Sequence, residues 1–265
     1  MRCRCLPVLC VLCVLCALAV PAVAGLPAPV RVMVEDAASP WSDSHGVGLA
    51  NDLVRAAFKA AGAPAVLVVV PYARCKALVV GGAEASCLSM SAAPELQGTV
   101  RFADQPLFSV TAHFYALKPA SSAAPAAPLR SLDDLRTGMR VGIVNGYEYP
   151  ADVLALAARG VVLESARSEV INLRKLGAGR IDLAVVMTDP LRSMALVERQ
   201  AAVDNIAHAF VGPTMESFIG FSTSNPDGER QRLLFNAGFK TIGENGQRSL
   251  IESRWKKRCA TFCPE

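Results

Sequence analysis

The chain has 265 residues, 52% of them apolar and 19% charged, with 27 basic against 23 acidic side chains and a formal charge of +4. That apolar fraction excludes a largely disordered polymer, and the near-balance of charge gives no electrostatic basis for binding nucleic acid. The length is ample for a substantial core, in one large domain or two smaller ones.

The first element reads as an export signal. Arg2 and Arg4 precede an apolar run from Leu6 to Ala19, and Pro21-Ala22-Val23-Ala24 then leads to Gly25. This is the charged, apolar, small-residue order of a secretory signal (residues 1–24) cleaved after Ala24, and it implies export across a membrane. A membrane anchor would need roughly 20 apolar residues, and this run is shorter and interrupted by Pro7 and Pro21. Lipid attachment requires a small residue just before the cysteine, whereas Leu12 precedes Cys13 and Leu15 precedes Cys16. Losing Arg2 and Arg4 takes the basic count from 27 to 25, leaving a mature charge of +2.

Outside the signal remain Cys75, Cys87, Cys259 and Cys263. An even number in an exported chain points to disulfides, although four cysteines allow three pairings. Pairing Cys75 with Cys87 and Cys259 with Cys263 would close two short loops; free buried thiols are the alternative. No CxxC pair or histidine cluster accompanies them, so no metal site is expected.

Val30 to Val34 is β-branched and alternating, which predicts an opening strand. A polar loop with Pro40-Trp41 follows, then a helical apolar spacing over Gly48 to Lys59 that stops at Gly62. A strand from Val66 to Val70, a helix from Tyr72 to Val80 and a strand around Cys87 to Met90 continue the rhythm. Alternation of this kind predicts an α/β sheet with ligands at the carboxyl ends of its strands. The small, proline-rich stretch Pro119 to Pro128 reads as a surface linker. Beyond it a second series starts: a strand over Arg140 to Val144, a helix after Pro150, a strand from Val161 to Glu164, a helix from Ser168 to Leu176 and a strand over Gly179 to Val186. An extended run from Glu216 to Ser222 and helices around 230–239 and 246–256 complete the chain.

Several of these pieces have a familiar order. Gly48-Leu49 with Asp52, Pro71-Tyr72-Ala73-Arg74, Gly81 and Glu84, then Phe102, Asp104, Pro106 and Phe108 recur in sequence, followed by Leu132-Asp133-Asp134-Leu135, Val141-Gly142 with Gly146, and Gly179-Arg180-Ile181-Asp182. Together they resemble the periplasmic solute-binding proteins of the polar-amino-acid type (family 3) over nearly the whole mature chain. The resemblance implies an α/β fold of the type II periplasmic-binding-protein kind, a two-lobed clamshell in which each lobe is a mixed sheet flanked by helices. Residues 25–117 plus 217–265 would form lobe 1 and residues 118–216 lobe 2. It further implies a monomer, without cofactor or catalysis, that captures a small polar or anionic, amino-acid-like solute for an inner-membrane ABC permease. A sensory module signalling to a membrane receptor is the alternative, and a periplasmic dehydratase on the same fold a more distant one.

One departure stands out. Where the family has a Thr, two residues and a carboxylate-binding Arg, this chain reads Ala93-Pro94-Glu95-Leu96, and Leu offers no donor. The family's distal amino-binding acid falls on Met187, with Asp189 two residues on as a substitute or as a cap before Pro190. The ligand-binding candidates carried over by position are Trp41 for stacking, Tyr72, Arg74 as a replacement anion hook, Ser89 and Ser91 on one strand, Gly146 and Tyr147 where backbone amides would open a helix, and Asp189. The three histidines, His45, His113 and His208, are scattered, and no nucleophile elbow, zinc motif or phosphate loop is present. A dehydratase would need a cleft acid such as Glu95, Glu148 or Asp189 with a shifted pKa.

Overall fold

The structure, a computed structural model, describes residues 29–119, 129–189 and 191–261. The expected signal, nearly all of the Pro119–Pro128 stretch and Cys263 lie outside the described residues, and with them the Cys259–Cys263 pairing.

The first series is β1 (Val30–Glu35), a small hairpin of β2 (Ala37–Ala38) and β3 (Ser42–Asp43), α1 (Leu49–Ala60), β4 (Ala65–Val70), α2 (Tyr72–Val80) and β5 (Ser86–Met90). β1 pairs in parallel with β4 on one side and β5 on the other, so it is buried on both faces and its apolar run is nearly unbroken. Gly48 opens α1 where an added Cβ would lie 2.0 Å from the Trp41 carbonyl oxygen, so only glycine lets the hairpin close onto the helix. β6 (Val100–Phe102) and β7 (Phe108–Leu117) follow.

The second series is β8 (Arg140–Val144), α3 (Ala151–Leu154), β9 (Val162–Ala166), α4 (Glu169–Gly177), β10 (Leu183–Thr188) and α5 (Met194–Ala201). β8 is parallel to both β9 and β10. The strand expected over Gly179–Val186 starts only at Leu183, because Gly179 turns at φ +67° and the Arg180 amide folds back to the Lys175 carbonyl. α5 was not expected; Ser193 caps it by accepting from the Leu196 amide.

The last elements are β11 (Ile206–Ser222), α6 (Gly228–Glu244) and α7 (Gln247–Thr261). β11 has 17 residues, far more than the Glu216–Ser222 run visible in the sequence, since Gly212-Pro213 masks its first part. One nine-stranded sheet runs β4-β1-β5-β11-β7-β10-β8-β9, with β6 on the far end of β11. The two parallel strand groups therefore sit at opposite ends, and the antiparallel pair β7 and β11 runs between them. Along this pair Thr111 and Thr214 hydroxyls meet at 2.8 Å, and His113 Nδ1 lies 2.9 Å from His208 Nε2.

Packing follows the sheet. α1, α6 and α7 cover one face of the first group through Phe58, Phe235 and Phe239, and Trp255 Nε1 donates to Asp52 at 2.9 Å. Burying each such ring is worth about 1.5–3 kcal/mol. Tyr115, Leu173, Leu176 and Val197 gather α4 and α5 onto the second group. On the other face of the first group, Cys75 and Cys87 form a disulfide that ties α2 to β5, with Cα atoms 5.6 Å apart, inside an apolar cluster with Met33 and Met90.

Candidate functional site

The carboxyl ends of the two parallel groups face each other, and the side chains they carry meet. β1 ends on Glu35, whose backbone is pinned by the hairpin: Ser42 Oγ donates to its carbonyl at 2.6 Å and accepts from Asn51 Nδ2 at 3.0 Å. The Glu35 side chain is buried, and Tyr147, from the loop after β8, donates its hydroxyl to it at 2.8 Å. Burial pushes the Glu35 pKa up to about 7, against the Tyr147 and Ser89 hydroxyls, while Glu169 raises it slightly and Arg192 lowers it slightly.

A second tyrosine–glutamate bond runs in the opposite direction. Tyr72 of α2 donates to Glu148, again from the loop after β8, at 2.5 Å. The same carboxylate accepts the Ser91 amide at 3.1 Å, and Lys76 Nζ lies 2.8 Å from its other oxygen. Tyr72 and Tyr147 meet edge to face with centroids 5.0 Å apart. Burial, with the neighbouring carboxylates, holds both phenols well above their ordinary pKa.

Trp41 closes the third side. It is buried, stacked on Phe108 at 4.8 Å and 4°, and donates Nε1 to Asp189 at 2.8 Å. The other Asp189 oxygen takes the Leu191 and Arg192 amides, so this residue caps the turn after β10 as well as holding Trp41. Burial raises its pKa. Arg192 lies 5.4 Å from the Trp41 ring, is bonded to Glu169 at the start of α4, and donates to the Met187 carbonyl at 2.8 Å. The Glu169 carboxylate outweighs the burial that opposes it and lifts the Arg192 pKa.

Ser89 sits at φ +64°, where the register between β5 and β11 slips by one residue. A left-handed φ at a non-glycine residue costs about 1 kcal/mol or more, and here it accompanies a Ser89 hydroxyl set near Glu35. Its buried Oγ is near enough to lower the Glu35 pKa but makes no well-formed hydrogen bond. Two cavities result. An inner chamber of about 40 Å³ is bounded by Glu35, Trp41, Ser89, Phe108, Tyr147 and Glu148. An outer cleft of about 350 Å³ is bounded by Glu35, Tyr72, Asn145, Tyr147 and Arg167. Glu35 and Tyr147 belong to both, so the two cavities adjoin at this hydrogen-bonded pair.

Of the residues singled out in the sequence, Trp41, Ser89, Ser91 and Tyr147 line the inner chamber and Tyr72 lines the outer cleft. Arg74 is not brought together with them: it is exposed and lines neither cavity. Two residues turn a helix through about 200°, so the face that presents Tyr72 and Lys76 carries Arg74 away. Gly146 also lines neither cavity. It turns at φ +85° against Ala73 and offers its carbonyl to Lys76 at 3.2 Å, while α3 opens only at Ala151. The Tyr147 amide is likewise engaged by the Val144 carbonyl. Glu35, Lys76, Glu148, Glu169 and Arg192 had not been singled out as ligand contacts. For Glu35 a signal existed, an acid closing an apolar strand at the edge where α/β proteins bind ligands.

No protein-family model and no curated protein matches the chain. Solved structures do. An ancestral arginine-binding protein bound to arginine superposes with a TM-score of 0.70 at 20% identity, over 87% of this chain and 99% of that one. A histidine kinase sensor domain similar to periplasmic binding proteins gives 0.70 at 20% identity, over 86% and 95%. An ancestral amino acid-binding protein, a precursor of cyclohexadienyl dehydratase, gives 0.64 at 17% identity, over 86% and 94%. Across most of its length, this chain has the α/β fold of the amino-acid-binding proteins, the type II periplasmic-binding-protein fold.

Proposed function

We propose that this protein is a two-lobed, non-catalytic solute-binding protein of the periplasm, exported by residues 1–24, that closes on a small polar, amino-acid-like solute and presents it to an inner-membrane ABC permease. Residues 25–117 with 217–265 would make one lobe and residues 118–216 the other, with β7 and β11 as the crossovers. The observation that carries this reading is that side chains from both strand groups bond to one another, Tyr147 to Glu35, Tyr72 to Glu148 and Trp41 to Asp189, beside a cleft of ligand size lined by Glu35, Tyr72, Asn145 and Tyr147. An anionic solute is not favoured by that cleft. Arg167, the cation lining it, is already bonded to Asp36 at 2.6 Å.

The test is a thermal-shift panel of amino acids, amines, dicarboxylates and opines on the mature chain, joined to mass spectrometry of any solute retained through native purification. A ligand raises stability by RT ln(1 + [L]/Kd); a panel without any shift, and a purified protein without any solute, would sink the reading. The fold likeness to a kinase sensor domain supports a second reading, a module that reports to a membrane receptor. Loss of solute uptake on gene deletion favours the importer, and unchanged uptake with altered signalling favours the sensor.

A further inference from the structure

The charges around the inner chamber do not balance. Glu35 and Glu148 line it, with Glu169 and Asp189 directly behind, and the two cations packed among them are Lys76 and Arg192. Both cations are committed: Lys76 to Glu148, with Glu95 at 3.4 Å, and Arg192 to Glu169. A guest carboxylate therefore meets no uncommitted cation, and it would be buried beside carboxylates at a large electrostatic cost. A guest ammonium meets Glu35, whose direct partner is only the neutral Tyr147 hydroxyl. The walls suit a cation too, since the Trp41, Phe108 and Tyr147 rings and the Met187 and Met215 thioethers present π faces and polarisable sulfur.

We infer that the guest is an organic cation without a carboxylate, an amine or a guanidine, whose charged head displaces the Tyr147 hydroxyl from Glu35. The inference rests on the solute-binding reading above and gives it a ligand class. The chamber admits little more than the head, and the remainder of the guest lies in the adjoining outer cleft, which shares Glu35 and Tyr147 with it. Ser89 Oγ, buried and without a hydrogen bond, supplies a second acceptor beside Glu35.

Binding is then coupled to a proton. Around Glu35, Tyr72 and Tyr147 remain protonated far beyond neutrality, Glu169 is locked to Arg192, and Asp36 is bonded to Arg167. Glu35, at about 7, is the group that must ionise before the cation arrives. Affinity falls by up to about tenfold per pH unit below that value and levels off above it.

Isothermal titration of the mature chain with matched pairs decides the matter: agmatine against arginine, putrescine against ornithine, cadaverine against lysine, tyramine against tyrosine. At pH 8 at least one amine is expected to bind at least tenfold tighter than its parent amino acid, and to weaken between pH 7 and pH 5. Glu35→Gln is expected to lose at least tenfold in affinity, and Tyr147→Phe to gain a few-fold because it removes the competing hydroxyl. Should Glu35→Gln fail to fold, the pH slope of the natural protein carries the same information. Parent amino acids binding as tightly as the amines, or a Glu35→Gln protein binding unchanged, would overturn the inference. If no pair member binds while a sugar or an anion does, the ligand class is wrong and the solute-binding reading survives. If nothing binds, both fall.

Discussion

Two buried glutamates on either side of the cleft are treated in opposite ways. Glu169, at the start of α4, has the Arg192 guanidinium bonded to one oxygen and the Met187 amide at 2.6 Å on the other. Glu35, at the end of β1, is bonded to a phenol and has the Ser89 hydroxyl near it, and among the described residues no cation is bonded to it. A protein that needed only to bury a carboxylate would supply the first arrangement twice. The difference marks the Glu169 side as architecture and, on the reading proposed above, the Glu35 side as the place where a guest is met.

The sharpest way to break the comparison is to unpair the satisfied acid. Arg192→Met leaves Glu169 charged and buried, and should destabilise the protein by about 3–5 kcal/mol in urea unfolding; a change below 1 kcal/mol would show that the pair is not structural. The disulfide beneath the Glu35 side comes next. Cys75→Ala with Cys87→Ala opens a loop with a sequence separation of 12, and should cost about 3 kcal/mol on the loop-entropy account.

Glu35 itself should behave in the reverse sense. Its folded pKa of about 7 lies above its ordinary value of 4.5, so the folded state holds the proton more tightly. The stability this contributes is complete below about pH 4.5 and is lost as pH rises through 7. Glu35→Gln, which mimics the protonated form, should therefore stabilise the unliganded protein by roughly 3 kcal/mol at pH 8 and by less than about 1 kcal/mol at pH 5. An equal effect at both pH values would mean that Glu35 is already paired. The smallest effect is expected from Arg74→Ala, within about 0.5 kcal/mol of stability and without effect on ligand affinity, because Arg74 faces solvent.

The first βα series was legible because its strands are apolar and its helices stop at glycines; β1, α1, β4, α2 and β5 fall within a residue or two of their expected positions. The crossover strands were harder to see. In β11 a histidine, a glycine and a proline interrupt the pattern, and the strand is specified by pairing with β7, which is remote in sequence. The same division holds in the site. Trp41, Tyr72, Ser89 and Tyr147 were visible from their place in the chain, whereas the choice of Lys76 over Arg74 depends on helix phase. The role of Glu35 depends on what is missing around it, and no single segment records that.

β11 carries one further consequence. Its pairing with β7 slips at His208/Phe210 and again at Val211/Thr214, and Pro213 between them has no amide to give to a ladder. Elsewhere, bending this ribbon means breaking a regular run of backbone bonds; here the run is already broken, and the Thr111–Thr214 and His113–His208 contacts lie on either side of the gap. On the two-lobed reading proposed above, a swing of one strand group against the other would have its fulcrum in those few residues, a pivot built into a strand that would leave both parallel groups as they are.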